Sequence, residues 1–351
     1  MKAVVCKTAR VQHRPAPRSN ERRLVTQHPR RRILSLAAGT AVLPAVSRVA
    51  LAQAYPTRPI TMVVPVPAGG QMDALSRVLA ERMRNSLRQP VIIENISGAD
   101  GSIGSSRVAR SRPDGYTIEL GNSSTHMLNG ALYSLPYDVF KDFAPISPLA
   151  TNPLGLFARK MMPAKDLNEL IAWLKANPNK ASVGVAAASH RLNSAFFQKE
   201  TGTQYTLVPY RGIAPAFQDL VAGQIDLLFG PPDLLPLARA GNIKAFALTS
   251  DGRSALAPDV PTFGEMGWPM VSYSGWYALF APRGTPKEII DRLNMTAVQA
   301  LADPALRSRL LDLGVEIFQR ERQTPEALGA LVKADAEKWW PKIKEFGIKA
   351  E

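Results

Sequence analysis

The feature that most restricts the fold is a repeated alternation of short β-rich runs with helical stretches, which starts after Tyr55-Pro56. In the first unit, residues 60–66 read as a strand and Pro67-Ala68-Gly69-Gly70 ends it. Met72, Leu75, Val78, Leu79, Met83 and Leu87 then recur at helical spacing, with Arg77, Glu81, Arg82 and Arg84 on the opposite face. Residues 91–94 follow as a strand, 95–101 as a loop, 103–110 as a short helix and 116–120 as a strand. A second block repeats the pattern. Asp166 and Glu169 form a capping-box-like pair that opens a helix over Leu167–Ala176. Strands are expected at 181–185, 205–208, 225–229 and 244–249, separated by helices near 189–200, 215–222 and 234–240.

Beyond a strand at 273–280 the chain is dominated by helix starts: Thr285-Pro286 with Glu288, Asp303-Pro304 and Thr324-Pro325. Trp339-Trp340 reads as packing on an amphipathic tail helix. The pattern predicts an α/β protein of two lobes, the first made of 55–155 with 274–351 and the second of 156–273. The chain crosses between them near 149–157 and 272–277. Neither crossing is rich in Gly or Ser, so paired strand-like hinges are expected in place of a floppy linker.

A formal charge of +14 raises the question of nucleic acid or an anionic membrane surface. Residues 1–54 hold eleven Lys and Arg against Glu21 alone, a net +10, so the other 297 residues carry only +4. The basic excess belongs to the N-terminal segment, and nucleic acid is not an expected partner. Arg30-Arg31-Arg32 precedes an apolar run over 33–46, and small residues follow at Ala50, Ala52 and Ala54, the order of a cleavable export signal with cleavage after Ala54. Gly39, Pro44 and Arg48 break the apolar run, which is too short to span a membrane. Arg30-Arg31 also resembles a twin-arginine signal, and both export routes stay open. The sole cysteine, Cys6, lies in this leader and not beside the cleavage point. The processed chain therefore has no disulfide, no thiolate chemistry, no cysteine zinc site and no lipid anchor of that kind, and is expected free in the periplasm.

Four strand-end loops carry the candidate chemistry. Ala68, Gly69, Gly70 and Gln71 hand a strand over to a helix whose first N–H groups have no intrahelical partner, an arrangement suited to a carboxylate or phosphate. The loop is neither GxGxxG nor a Walker sequence, and it also reads as a plain turn. Asp73 either caps that helix or holds an amine. Gly121-Asn122-Ser123-Ser124-Thr125-His126 offers hydroxyls to an anion or a bridging water. In the second block Ala187, Ala188, Ser189 and His190, then Tyr210, Arg211 and Gly212, occupy equivalent positions. Asp226 ends the turn Gly223-Gln224-Ile225. Catalysis finds little support: His126 and His190 sit in no metal spacing, Ser189 and His190 are sequence neighbours and not a spatial relay, and GxSxG is absent. No metal and no cofactor is expected.

From Tyr55 onward the sequence resembles the Bug-type receptors of tripartite tricarboxylate transporters. The resemblance rests on ordered blocks: Tyr55-Pro56 through Ile60, Pro65 through Asp73, Asn95 through Gly104, Pro113 through Tyr116, Leu135 through Asp138, Lys141-Asp142-Phe143, Val208 through Gly212 with Pro215-Ala216, Gly223 through Asp226, Pro258 through Thr262, and Ala281-Pro282 with Gly284-Thr285-Pro286. It implies a type II periplasmic-binding-protein fold, two α/β lobes joined by two crossover strands, closing on a small carboxylate ligand for membrane transporter subunits. It implies a monomeric receptor that is not an enzyme. By position, Ala68, Gly69, Gly70 and Asp73 with Ser123, Ser124 and Thr125 would hold the carboxylate through amides and waters. The 187–190 segment would contribute from the second lobe, together with Tyr210, Arg211, Gly212 and Asp226. Gln71-Met72 replaces smaller turn residues of the family, and Ala186-Ala187-Ala188 lacks its usual hydroxyls. A sensor for a membrane signalling partner, or a periplasmic enzyme acting on a carboxylate or ester, would use the same cleft.

Overall fold

A computed structural model describes residues 55–254 and 256–348. The export signal, its cleavage after Ala54 and Cys6 lie outside the described residues.

The first block forms β1 (Ile60–Val64), α1 (Gln71–Leu87), β2 (Val91–Asn95), α2 (Ser102–Ala109), β3 (Thr117–Asn122), α3 (Asn129–Leu132) and β4 (Phe143–Asn152). The second forms β5 (Gly155–Arg159), α4 (Leu167–Ala176), β6 (Ser182–Val185), α5 (Ala188–Thr201), β7 (Thr206–Pro209), α6 (Ile213–Ala222), β8 (Leu227–Gly230), α7 (Leu235–Arg239) and β9 (Ile243–Leu248). The return adds β10 (Gly275–Pro282), α8 (Lys287–Leu301), α9 (Pro304–Asp312), β11 (Glu316–Ile317) and α10 (Pro325–Glu345).

These elements build two sheets. The first has the order β11-β4-β10-β3-β1-β2 and the second β7-β6-β8-β5-β9. In each, three strands run parallel and a fourth, β10 or β5, enters antiparallel directly after the chain has crossed from the other sheet. The outward crossing lies between Asn152 and Gly155, and the return precedes Gly275. This is the two-lobed α/β arrangement that the alternation implies.

Local chemistry explains most of the helix starts. Asp166 accepts the Glu169 N–H at 2.9 Å, while the Glu169 carboxylate accepts the Lys165 N–H at 2.9 Å, one residue earlier than a standard capping box. Asp303 accepts from Leu306 N at 2.9 Å and Thr324 from Ala327 N at 3.1 Å. The capping box expected at Thr285 and Glu288 does not form. Pro286 takes the cap position of α8, and the Thr285 hydroxyl donates back to the Pro282 carbonyl at 2.7 Å, closing the turn after β10.

Strand β4 extends N-terminally beyond the crossing expected near 149–157 and contains Pro145 and Pro148, residues that do not suit a sheet interior. They are accommodated opposite Phe280 and Ala278 in β10, next to the register shifts of that ladder.

Alternation along β10 sorts the core. Tyr277, Leu279 and Ala281 join α1 (Leu75, Leu79, Met83) and α8 (Leu293, Ala297, Leu301) on one face. Trp276, Ala278 and Phe280 join a core that runs on into the second lobe, with α10 (Val332, Ala336, Trp339) and α5 (Leu192, Phe196, Phe197). Each buried Leu, Val, Met or Phe side chain in these clusters is worth about 1.5–3 kcal/mol. Trp339 stacks on Phe196 at 5.5 Å and meets Tyr273 edge-on at 5.1 Å, and Trp340 Nε1 donates to the Met127 carbonyl at 3.1 Å. The tail helix thus ties the two lobes together.

Candidate functional site

A crevice of about 440 Å³ lies where the six parallel strands end. Each strand supplies lining residues directly beyond its carboxyl end: Pro67, Ala68 and Gly70 to Met72 after β1, Ser97 after β2, and Asn122 at the end of β3. In the second lobe Ala186, Ala187, Ser189 and His190 follow β6, Arg211 to Pro215 follow β7, and Pro231 follows β8. This is the position at which open α/β sheets take up ligands. Asn152 and Leu154 from the outward crossing and Tyr277 from the return complete the wall.

The β1–α1 loop is held from behind. Asp73 Oδ2 accepts the Gly69 N–H at 3.0 Å, Asn95 Nδ2 donates to Asp73 Oδ1 at 3.0 Å and to the Val66 carbonyl at 3.2 Å, and Arg77 adds two bonds of 3.0 Å. Burial of Asp73 opposes ionisation, but Arg77, the Gly69 amide and Asn95 together outweigh it and hold the carboxyl below its ordinary range. Asp73 therefore clamps the loop and does not line the crevice, and the Gly69 amide is already committed. Gly70 is extended and caps α1 without a side chain, which leaves the amides of the first turn without intrahelical partners. Gln71 is buried with its amide turned into the first lobe. Its Oε1 accepts the Tyr277 hydroxyl at 2.8 Å and its Nε2 donates to the Leu313 carbonyl. This departure in the glycine loop is thus a strut between α1, β10 and the end of α9.

The hydroxyl-rich loop does not present its hydroxyls. Residues 124–128 coil into a wide helical turn in which Ser123, Ser124 and Thr125 are buried. Thr125 N donates to Asn122 Oδ1 at 2.9 Å, and Thr125 Oγ1 lies 2.9 Å from His126 Nδ1. Asn122 lines the crevice in their place. Behind the turn, His126 stacks on Phe280 at 3.8 Å, and its Nε2 stands 3.6 Å from Glu119 Oε2; neither atom has a hydrogen-bond partner among the described residues. Ser105 donates to Glu119 Oε1 at 2.7 Å. Complete burial pushes the Glu119 carboxyl up to about 8 and His126 down to about 3, so both are neutral near pH 7.

In the second lobe, α5 and α6 begin at the crevice as α1 does, so three helix N-termini converge there. His190 Nδ1 accepts the Ala186 N–H at 3.2 Å, which assigns the proton to Nε2, and burial pushes the ring down to about 4. His190 is thus a neutral donor. Arg211 is exposed and, among the described residues, carries the only formal charge on the wall and makes no hydrogen bond or ion pair. At the mouth the two lobes touch. A Cβ on Gly212 would stand 3.4 Å from Pro67 Cγ, and one on Gly70 would stand 3.5 Å from Ile213 Cγ2.

Of the expected residues, Ala68, Gly70, Gln71, Ala187, Ser189, His190, Arg211 and Gly212 line one crevice; Gly69, Asp73, Ser123, Ser124, Thr125 and Ala188 stand behind it. The Tyr210 hydroxyl donates to Asp219 at 2.6 Å, which pushes the phenol, already raised by desolvation, up to about 12. Asp226 is a correction. It precedes β8, at the opposite end of the sheet, where Arg159 Nε (2.6 Å) and the Ser182 amide (2.9 Å) and hydroxyl (3.0 Å) occupy its carboxylate. Asn122, Asn152, Met72 and Tyr277 were missed, although Asn152 and Tyr277 fall within the two expected crossings. Among the described residues no group of three or more His, Cys, Asp or Glu could hold a metal ion, and no helix is long and apolar enough to cross a membrane.

Residues 75–348 match the tripartite tricarboxylate transporter family receptor. The chain is 35% identical over 308 residues to protein BugT of Bordetella pertussis, spanning 85% of this chain and 92% of BugT. The solved periplasmic binding protein BugD aligns with a TM-score of 0.80 at 36% identity, over 85% of this chain and 100% of BugD. MatC from Rhodopseudomonas palustris, solved with bound malate, aligns with a TM-score of 0.78 at 35% identity, over 82% and 99% of the two chains. With two mixed sheets, two crossings and a crevice at the ends of the parallel strands, this chain has the type II periplasmic-binding-protein fold and belongs to the receptor family of the tripartite tricarboxylate transporters, as a periplasmic solute-binding receptor.

Proposed function

We propose that the crevice captures one small carboxylate-bearing molecule, gripped as the lobes formed by 55–155 with 274–351 and by 156–273 close. The observation that carries this reading is Arg211, unpaired among the described residues, on a wall to which those residues bring no acidic side chain and three helix N-termini. The first-turn amides of α1 lie opposite and suit a carboxylate, and His190 Nε2–H adds a neutral donor. Pro67, Met72, Leu154, Ile213 and Pro231 suit an apolar body. The chain works in the periplasm as a monomer, its leader removed after Ala54, and hands its cargo to the membrane subunits of a tripartite transporter. The Ala186 N–H occupies the acceptor nitrogen of His190, so beside Ser189 the ring supports binding better than proton abstraction.

The test starts from protein unfolded and refolded to strip carried-over ligand. Calorimetric titration with mono-, di- and tricarboxylates, malate first because MatC holds it, should find an acid that binds one molecule per chain. Arg211→Gln should weaken that acid about 10- to 100-fold, as expected for a lost charge-assisted contact, with no change in the unfolding midpoint. Silence across the panel would overturn the reading.

A further inference from the structure

On the α9 side of the crevice the lobes meet in a tight seam. From β8 the chain runs through Pro231, Pro232 and Asp233. Pro231 lines the crevice, and Pro232 lies against Gly314 of the first lobe. A Cβ on Gly314 would stand 2.5 Å from Pro232 Cβ and 3.2 Å from its carbonyl carbon, so no side chain fits there. Asp233 is carried into this seam. Its Oδ1 is buried without a hydrogen-bond partner among the described residues, and the hydrogen bond that supports the carboxyl comes from its own backbone.

Among the described residues the groups facing it offer no cation. Tyr277 from β10 is the titratable neighbour, and its hydroxyl is committed to Gln71. The turn after α9 presents Leu313 and Gly314. Asp312, the charge nearest on that turn, is exposed and 4.0 Å from Arg309. An unpaired carboxylate is well solvated in water and costly in such a place. The cost exists only while the lobes are together, because Pro232 and Asp233 belong to one lobe and Gly314 and Tyr277 to the other.

We infer that Asp233 is a proton-linked brake on lobe closure: shutting the crevice encloses its unpaired carboxyl in the Pro232–Gly314 seam, so the closed form is favoured when Asp233 is protonated. This rests on the reading of the crevice as one that opens and closes. Burial pushes Asp233 up from 3.8 to about 6 in the closed form, and water restores the ordinary value when the seam opens. The form with the raised value holds its proton more tightly. Closure is therefore opposed in full above pH 6 and relieved as pH falls toward 4, by about a hundredfold in the closed-to-open ratio over the whole span and about tenfold between pH 7.5 and 5.

The pH arm of the test needs no ligand. Residues 55–351 contain no cysteine, so Arg84→Cys on α1 and Lys175→Cys on α4 give one clean dye pair across the lobes for energy transfer. In the wild-type background the closed population should grow as pH drops from 7.5 to 5. Asp233→Asn should raise the closed-to-open ratio about a hundredfold at pH 7.5 and abolish its pH dependence, and Asp233→Ser should do the same. A pH course in both variants that tracks the wild type overturns the inference. Transfer that responds neither to pH nor to the carboxylate panel overturns it as well, by removing the moving crevice. Binding of a carboxylate with no pH response leaves the receptor reading intact and sinks the brake alone.

Discussion

Glu119 allows a stability prediction in which the sign and size follow from its surroundings. The carboxyl is fully buried, receives one hydroxyl from Ser105 and, among the described residues, has no cation beside it, the His126 ring being neutral. Burial lifts it to about 8 from 4.5. Between those two values the unfolded chain has released the proton and the folded chain has kept it, so stability is full below pH 4.5 and declines as pH rises toward 8. The slope is about 1.4 kcal/mol per unit. His126 and His190 act in the opposite sense: burial lowers them to about 3 and about 4, and their contribution is complete above the ordinary 6.5 and lost as pH falls. Asp233, raised to about 6, has finished by pH 6.5. From pH 6.5 to 8 the Glu119 titration should cost about 2 kcal/mol, against a smaller opposite gain as the histidines of the unfolded chain finish losing their protons. Glu119→Gln keeps the acceptor for Ser105 and removes the titration. Urea unfolding at constant ionic strength should show the wild type weakening by about 2 kcal/mol relative to Glu119→Gln across that window. Parallel decline of the two proteins would refute the account of a buried protonated carboxyl.

Two further substitutions address the β1–α1 loop. In Gly70→Val the Cβ would already stand 3.5 Å from Ile213 Cγ2, and two further methyls are added to a mouth where the lobes touch; carboxylate affinity should fall at least about tenfold with an unchanged unfolding midpoint in the ligand-free protein. Equal affinity would show that the mouth contact is not part of the binding form. Asp73→Ala frees the Gly69 N–H, the Asn95 amide and Arg77 together and should cost about 2–3 kcal/mol in chemical denaturation while weakening binding through the loosened loop. Full stability with full affinity would mean the clamp is dispensable.

How much of this was legible in the sequence depended on the distance over which each interaction acts. Asp166, Asp303 and Thr324 could be read as caps because their partners lie three residues away. The parallel strands and the helices between them announced themselves by period. β4 did not, since its prolines are tolerated only through the irregular pairing with β10, more than a hundred residues later. The same limit applies at the crevice. Gln71 looked like an awkward occupant of a glycine loop, and its role emerges only from Tyr277 and Leu313. Ser123, Ser124 and Thr125 look like ligand donors in a string of letters, but the turn that contains them tightens until Asn122 is the side chain left facing inward. Asp226 belonged to a strand end, but to the wrong end.

The order of strands sets an order of completion for a chain made from its N-terminus. Every strand of the second sheet lies between Gly155 and Leu248, so that sheet can finish as one uninterrupted piece. The first sheet waits longer. β10 sits between β3 and β4 and is the only ladder joining them, so before residue 282 exists those two strands each face an empty neighbour position. A chain cut between β9 and β10 carries a finished second sheet and a first sheet in which β3 has a bare edge and β4 has no partner strand, the condition that invites pairing with other chains. The lobe that is written first is thus the one that is assembled last.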